Sequence, residues 1–440
     1  MTRAASWPRP RYAWYVVALL LLAYAFGVVD RNIVGLLLPY IKADLELTDL
    51  ELGLLQGPAF GVFFALAALP IGLLVDRWRR VPVLWGGLLV WSLATMASGL
   101  VATFVGLFLA RMLVGAGEAT TTPASASTIA DTFPPAQRPK AFGIYQAGGA
   151  VGQGMGYLLS AFALLVVADI QALWPAWFGE LRNWQIVFLT VGFPGVLLAL
   201  LMMITMREPG RFGAALQTPQ ITLRPLLDEV RANWTALTVV IVATVMNVLI
   251  VNAKVAWFPS LFMRVHDWRP EQVGYALAAV GMPLGLFSCL TAGWSLAWLE
   301  KRGSRDGPML VMLLQCGAWM IFGPLQSLAP SPFVTLIFHG CTALFATWCV
   351  TAAFTALSRI TPNRLRGQVM AIYSVIFAFV GVSLGPPIVG WLNDRVFTGA
   401  QGIAYSLAIV TGVVGLIGVL VSWWGRGAYI RAVERAERAG

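Results

Sequence analysis

Apolar stretches long enough to cross a bilayer recur twelve times along this chain, separated by short polar joints. A membrane-crossing helix needs about 20 mostly apolar residues. The stretches run Trp14–Leu38, Leu50–Val75, Val81–Val101, Phe104–Ala130, Ala141–Ala168, Trp184–Met206, Trp234–Pro259, Val273–Leu299, Met309–Leu328, Phe333–Leu357, Val369–Leu392 and Ile403–Trp424. Runs this long are not the ten-residue alternating strands of a membrane β-barrel. Composition agrees: 58% of residues are hydrophobic and 11% charged, where a soluble domain carries roughly 25% charged residues. Such hydrophobicity also excludes a disordered chain. The expected fold class is an all-α integral membrane protein with twelve transmembrane helices.

Charge sets the orientation. Most of the 30 Lys and Arg fall on one set of alternating joints, and the opposite set holds only Lys42, Arg182, Arg264, Arg269 and Arg395. By the positive-inside rule both termini are expected in the cytoplasm. The net charge of +10 therefore reports topology, and no nucleic-acid partner is expected, because the basic residues form no continuous face. Cys289, Cys316, Cys341 and Cys349 lie inside apolar stretches without C-x-x-C spacing, and His266 and His339 are far apart. No metal or cofactor is expected. Arg3, Arg9 and Arg11 precede an apolar run too long for a signal peptide, so no cleaved leader is expected.

The longest polar stretch, 207–233, contains Glu208-Pro209-Gly210 and Gln217-Thr218-Pro219. It reads as a cytoplasmic linker between a bundle over 1–206 and another over 234–425. Pro134, Arg138, Ile144, Tyr145 and Ala150 recur 228 positions later as Pro362, Arg366, Ile372, Tyr373 and Ala378. Two pseudo-symmetric six-helix bundles follow, a transporter architecture with the substrate near the midplane between repeats. The basic tail, 426–440, reads equally as a short amphipathic helix on the membrane surface or as a frayed end.

Ionisable side chains inside the spans are Asp30, Arg31, Arg111, Glu118, Lys254 and His339. Each is costly in lipid and marks a transport pathway by default. They occupy only the first, fourth, seventh and tenth spans. By depth, Asp30 and Arg111 share the outer half of the bilayer and are placed to pair, and Glu118 lies two turns deeper on the face of Arg111. A carboxylate balanced between burial and a nearby arginine can load and release a proton. Asp30 and Glu118 are thus the expected proton-coupling residues. Arg31 and Arg111 suit an anionic group or lock the carboxylates. Lys254 and His339 are weighed as substrate contacts against an interfacial anchor and a hydrogen-bonded structural histidine.

The glycines at 148, 149, 152, 154 and 156 crowd the fifth stretch, and Gly381, Gly385, Pro386, Pro387 and Gly390 the eleventh. Close helix packing is expected there. The aromatics Trp85, Trp91, Trp184, Trp234, Trp257, Trp423 and Trp424 read mainly as an interfacial belt. The joint Gly72-Leu-Leu-Val-Asp76-Arg77-Trp-Arg79-Arg80 offers a close-packing Gly, an acceptor in Asp76 and a basic anchor. It resembles the signature loop of the major facilitator superfamily, with Arg79 where that family usually has Gly. Gly72, Asp76, Arg77 and Arg80 are the expected cytoplasmic gating loop; the equivalent joint, Gly293–Arg305, has Ala297 at the Asp position.

Further motifs are similar to bacterial members of the Spinster-like family. They are Val29-Asp30-Arg31-Asn32, Ile41-Lys42-Ala43-Asp44-Leu45, Gly53-Leu54-Leu55-Gln56-Gly57, the Ala110–Ala119 stretch containing Arg111 and Glu118, and Asn183-Trp184. That resemblance implies the major facilitator fold and proton-linked transport of lysolipid or sphingolipid-type amphiphiles. It also implies proton roles for Asp30 and Glu118, supported by Arg31 and Arg111. The Arg111–Ala119 pattern occurs as well in organic-anion proton symporters, so a sugar-acid or aromatic-acid substrate is the alternative. An enzyme is not expected, because no nucleophile-base pair or metal cluster lies at membrane depth. A receptor or scaffold is a remote third reading. The expected setting is the inner (plasma) membrane, as a monomer, with protons and a small or lipid-like substrate as partners.

Overall fold

The computed structural model describes residues 7–173, 181–210, 223–362 and 365–439. Among them, twelve helical spans are long and apolar enough to cross a membrane, and no strand occurs. The first span is α1 (Pro10–Leu45). α2 (Asp49–Gln56) and α3 (Pro58–Arg77) form the second, interrupted at Gly57. α4 (Arg80–Ser98) is the third, and α5 (Phe104–Glu118) with α6 (Thr121–Thr132) the fourth. α7 (Arg138–Leu173) and α8 (Asn183–Thr205) follow. Next come α9 (Leu223–Val265), α10 (Pro270–Lys301) and α11 (Gly307–Ser327). α12 (Pro332–Ala343) and α13 (Trp348–Ile360) share the tenth span. α14 (Arg366–Ile376), a π-helical stretch over Phe377–Val382 and α15 (Ser383–Arg395) build the eleventh, and α16 (Gly402–Ala439) the last.

Helix starts follow local chemistry. Thr48 and Glu51 form a reciprocal capping box at α2, and Thr103 and Ser331 accept from the backbone N–H three residues on at α5 and α12. Each such side chain satisfies a donor that the helix leaves open. The interruptions of the fourth and tenth spans are related by the repeat. Ala119, just past the end of α5, stands 228 positions before Thr347, just ahead of α13.

Two compact units emerge. One comprises Met1–Leu47, Ala59–Gln220 and Pro270–Ala278; the other comprises Thr48–Pro58, Ile221–Arg269 and Ala279–Gly440. The short α2 thus belongs to the second unit although it lies early in the chain. In the first unit α1 and α7 pack backbone to backbone: a Cβ at Gly152 would stand 2.5 Å from the Ala25 carbonyl oxygen. In the second, a Cβ at Gly385 would stand 2.4 Å from that of Leu249. The crowded glycines of the fifth and eleventh spans therefore serve close packing. Gly72 does not, because a Cβ there would meet nothing within 4 Å.

Three further expectations change. Trp91, Trp184 and Trp257 are fully buried core residues, not belt. Trp184 Nε1 donates to Asp44 and Trp257 Nε1 to the Pro386 carbonyl. Trp234, Trp423 and Trp424 are exposed as a belt requires. The basic tail is neither a separate surface helix nor frayed; it continues α16 and packs on its own unit, with Tyr429, Ala432 and Val433 buried. Arg426 pairs with Asp306 at 2.6 Å and Arg305 with Glu434 at 2.9 Å. Finally, α9 already starts at Leu223 and only kinks at Asn233. Arg435 donates there, to the Ala232 carbonyl and the Asn233 amide oxygen. Of the expected linker, 211–222 lies outside the described residues, as do Arg3 and the tail's last residue.

Candidate functional site

Four of the intramembrane charges meet in the first unit. α1 brings Asp30 and Arg31, α5 brings Arg111 and Glu118, and all but Arg31 are at least nine-tenths buried. Consecutive residues on a helix point about 100° apart, so Asp30 and Arg31 address different neighbours. Arg31 Nη2 pairs with Glu118 Oε1 at 2.9 Å. Asp30 Oδ2 accepts from the Thr95 hydroxyl on α4 at 3.0 Å. The expected pairing of Asp30 with Arg111 is not made. Arg111 Nε and Nη1 are buried with no hydrogen-bond partner, and so is Glu118 Oε2. The Phe60 ring on α3 lies beneath both guanidinium groups, 5.5 Å from Arg31 and 5.9 Å from Arg111. Cation–π contact of this kind partly repays the desolvation of the cations.

Glycine spacing makes the cluster possible. A Cβ at Gly27 would meet Glu118 Oε1 at 2.9 Å, and one at Gly115 would meet the Phe60 carbonyl oxygen at 2.4 Å. The Val29–Asn32 motif continues into packing, since Asn32 donates to the Gln153 carbonyl of α7. The Ile41–Leu45 and Asn183-Trp184 motifs meet at Asp44. Neither Thr95 nor Phe60 is found by sequence reasoning. Uncharged residues at membrane depth carry no hydropathy signal that separates them from ordinary core.

The second unit holds a different arrangement. Lys254 on α9 does not reach out as an interfacial anchor; it is 7% exposed. Its Nζ lies 2.6 Å from His339 Nδ1 and 3.0 Å from Thr342 Oγ1, both on α12. The Phe258 and Trp319 rings lie 4.7 and 4.9 Å from it. No carboxylate pairs with it among the described residues. At the repeat offset, His339 is the counterpart of Arg111. Both repeats therefore put a nitrogen donor at one register of their broken span, and only the first adds acids.

In the α3–α4 joint, Asp76 and Arg77 are exposed, whereas Arg80 is buried. It is thus a clamp, not a surface anchor. Arg80 pairs with Asp131 at the end of α6 and with Glu208 at 3.0 Å, and donates to the Pro209 carbonyl at 2.8 Å. Glu208 in turn accepts from the Arg80 and Val81 backbone N–H groups, capping α4. Among the described residues no group of His, Cys, Asp and Glu is arranged to hold a metal.

The family model of the Major Facilitator Superfamily matches residues 20–337. The chain belongs to that superfamily. Its members are transporters, not enzymes, and this chain is a multi-pass transporter of that superfamily, similar to Spinster homologues. It is 24% identical to an MFS-type efflux pump of Mycolicibacterium smegmatis, over 98% of this chain and 96% of that protein. It is 26% identical to protein spinster homolog 1 of Xenopus laevis, over 92% and 80% respectively. The fold matches a bacterial homolog of the human lysosomal transporter Spinster, in an inward-facing and occupied conformation. There the TM-score is 0.79 at 23% identity, covering 97% of this chain and 98% of that one.

Proposed function

We propose that this chain is a proton-coupled secondary transporter of an amphipathic, lysolipid-like anion, working by alternating access with Asp30 and Glu118 as the proton carriers. One observation carries the reading. In the first unit the Glu118 carboxylate is gripped by Arg31 on one oxygen and left open on the other, while two buried N–H groups of Arg111 stay unpaired. Buried polar groups in a packed interior are ordinarily satisfied. An arginine with spare donors beside a half-paired carboxylate is set to exchange partners. It can take a substrate anion, or the carboxylate itself once Arg31 lets go, and protonation of Glu118 releases Arg31.

Lys254 supports an anionic substrate, because a buried lysine nitrogen whose partners are all neutral is a donor that an anion could take up. It equally supports the second reading, a sugar-acid or aromatic-acid symporter. The Spinster resemblance favours an amphiphile. On the same reading the halves 1–206 and 234–425, with α2 moving with the second, are joined by 207–233, both termini face the cytoplasm of an inner-membrane monomer, and Gly72, Asp76, Arg77 and Arg80 form the cytoplasmic gating loop. Proteoliposomes under an imposed pH gradient test the reading, with lysolipids, sugar acids and aromatic acids as probes. Asp30→Asn and Glu118→Gln should abolish gradient-driven uptake of the transported probe; transport unchanged in both refutes proton coupling at these residues.

A further inference from the structure

Helix α6 carries a line of hydroxyls that the ion pairs leave unused. Thr121, Ser125, Thr128 and Thr132 follow at spacings of four, three and four, one face of a helix. The line begins within a turn of Glu118 and ends at Asp131, the partner of Arg80. Thr121 is 4% exposed, Ser125 0% and Thr128 1%. A helical Ser or Thr hydroxyl commonly donates to the carbonyl one turn back. Thr132, Thr190 and Thr244 do so in this chain. Thr121, Ser125 and Thr128 do not, and their hydroxyls have no hydrogen-bond partner. The Tyr145 hydroxyl of α7 faces Ser125 and Thr122 but makes no bond of ordinary hydrogen-bond geometry, and Glu118 Oε2 has no partner.

Five unpaired polar atoms along one track are costly if dry, and buried water is the usual remedy. Neighbouring positions on one helix face lie about 5–6 Å apart, which one water spans with a hydrogen bond on each side. At its far end the track meets Arg80, which lines an open cleft of about 210 Å³ with Arg77, Trp78, Arg79, Glu208 and Pro209.

We propose that Thr121, Ser125, Thr128 and Tyr145 line a file of ordered waters that conducts protons between Glu118 and the Arg80–Asp131 end of α6. The inference rests on the proton-coupling reading and adds the route. Protonated Glu118 gives its proton to the first water, breaking one O–H bond as another forms. Each water or hydroxyl then accepts one proton and passes on another, and the carboxylate left behind returns to Arg31. The charged groups facing the file are Asp30, Arg31 and Arg111 at the Glu118 end and Arg80, Asp131 and Glu208 at the other. Arg80 is neutralised there by its two carboxylates, so it opposes the passing proton less than a bare cation would.

The test needs no substrate. The full-length chain in nanodiscs is followed by infrared difference spectroscopy after a switch to D2O. Glu118→Gln identifies the Glu118 carboxyl band. The combined variant Thr121→Val, Ser125→Ala, Thr128→Val should slow hydrogen–deuterium exchange of that band by about tenfold or more, with the pH midpoint of the band retained. Thr121→Ser with Thr128→Ser, which keeps the hydroxyls, should exchange at the wild-type rate. If the combined variant does not fold, Thr128→Val alone is read the same way. Unchanged exchange overturns the file and leaves proton coupling standing. A wild-type protein with no titrating Glu118 band overturns the coupling reading, and the file with it.

Discussion

Arg264 grips the Asp49 carboxylate through both terminal nitrogens, at 2.6 and 2.9 Å, and Asn393 adds a third donor at 3.0 Å. Asp394 meanwhile accepts from the Asp49 and Leu50 backbone N–H groups, at 3.1 and 2.7 Å. The eight-residue α2 is thereby fastened to α9 and α15 within the second unit. Asp49 is 2% exposed, and removing one member of a buried pair costs about 3–5 kcal/mol. Because Arg264 is partly exposed, Asp49→Asn should fall at or below the lower end of that range and clearly reduce the unfolding midpoint in detergent. Arg264→Gln should cost a similar amount, and the double variant less than the two singles together. Additive losses in that cycle would show that the two side chains act separately.

Gly115 separates α5 from α3 at the level of the charge cluster. Its missing Cβ leaves room for the Phe60 carbonyl, and backbone gives way less readily than a side chain. Gly115→Ala should cost about 1–3 kcal/mol by overpacking and shift the Phe60 ring away from Arg31 and Arg111. A melting curve reads the first effect. Loss of gradient-driven transport at a temperature where the variant remains folded reads the second.

His266 lies between α9 and α10 and shares a hydrogen bond with Thr335 at 3.2 Å. Burial pushes its imidazole below the ordinary 6.5, against a smaller opposite pull from Asp267. The unfolded chain therefore takes up this proton first as pH falls. Stability should decline on acidification through about pH 6.5 and level off once the folded histidine also protonates. Unfolding midpoints at pH 7.5 and 5.5 should differ less in His266→Gln than in the wild type.

Lys254 offers a contrast between stability and function. Its side-chain nitrogen is buried without a carboxylate among the described residues, and replacing such a buried ionisable group by an apolar side chain of similar length is often stabilising, by about 1 kcal/mol or more. Lys254→Met should raise the unfolding midpoint and depress transport of an anionic probe at least tenfold. A lowered midpoint would instead mean that the bonds to His339 and Thr342 are what hold α9 to α12.

The twelve spans were legible because hydropathy over 20 residues is a sum that no single neighbour alters. The partners of the charges were not. Depth can be counted along a helix, and it put Asp30 and Arg111 at one level and Glu118 two turns deeper, yet the fold gives Glu118 to Arg31. Which of them touch depends on helix rotation about its axis, and a turn of 100° gives Glu118 to Arg31 and Asp30 to Thr95. Trp184 and Trp257 illustrate a related ambiguity, since a tryptophan near the end of a span suits lipid headgroups and protein core equally, whereas Trp91 lies mid-span in α4. The tail failed for the same reason, because an amphipathic pattern does not say whether its apolar side meets a membrane or α9. Arg80 could not be told from Arg77 and Arg79 until Asp131 and Glu208 were brought beside it by the fold.

The last helix has 38 residues, about 57 Å at 1.5 Å per residue, roughly twice the hydrocarbon thickness of a bilayer. Its far portion carries Arg435, which holds the bend of α9 at Asn233. In mechanical terms α16 is a lever with its fulcrum in the second unit and its tip on a hinge. The Arg435 bonds tie the membrane-embedded part of α16 to the point where the connecting segment becomes the seventh span. Cutting the chain at Gly425 would therefore uncouple that hinge from the twelfth span instead of trimming a passive end.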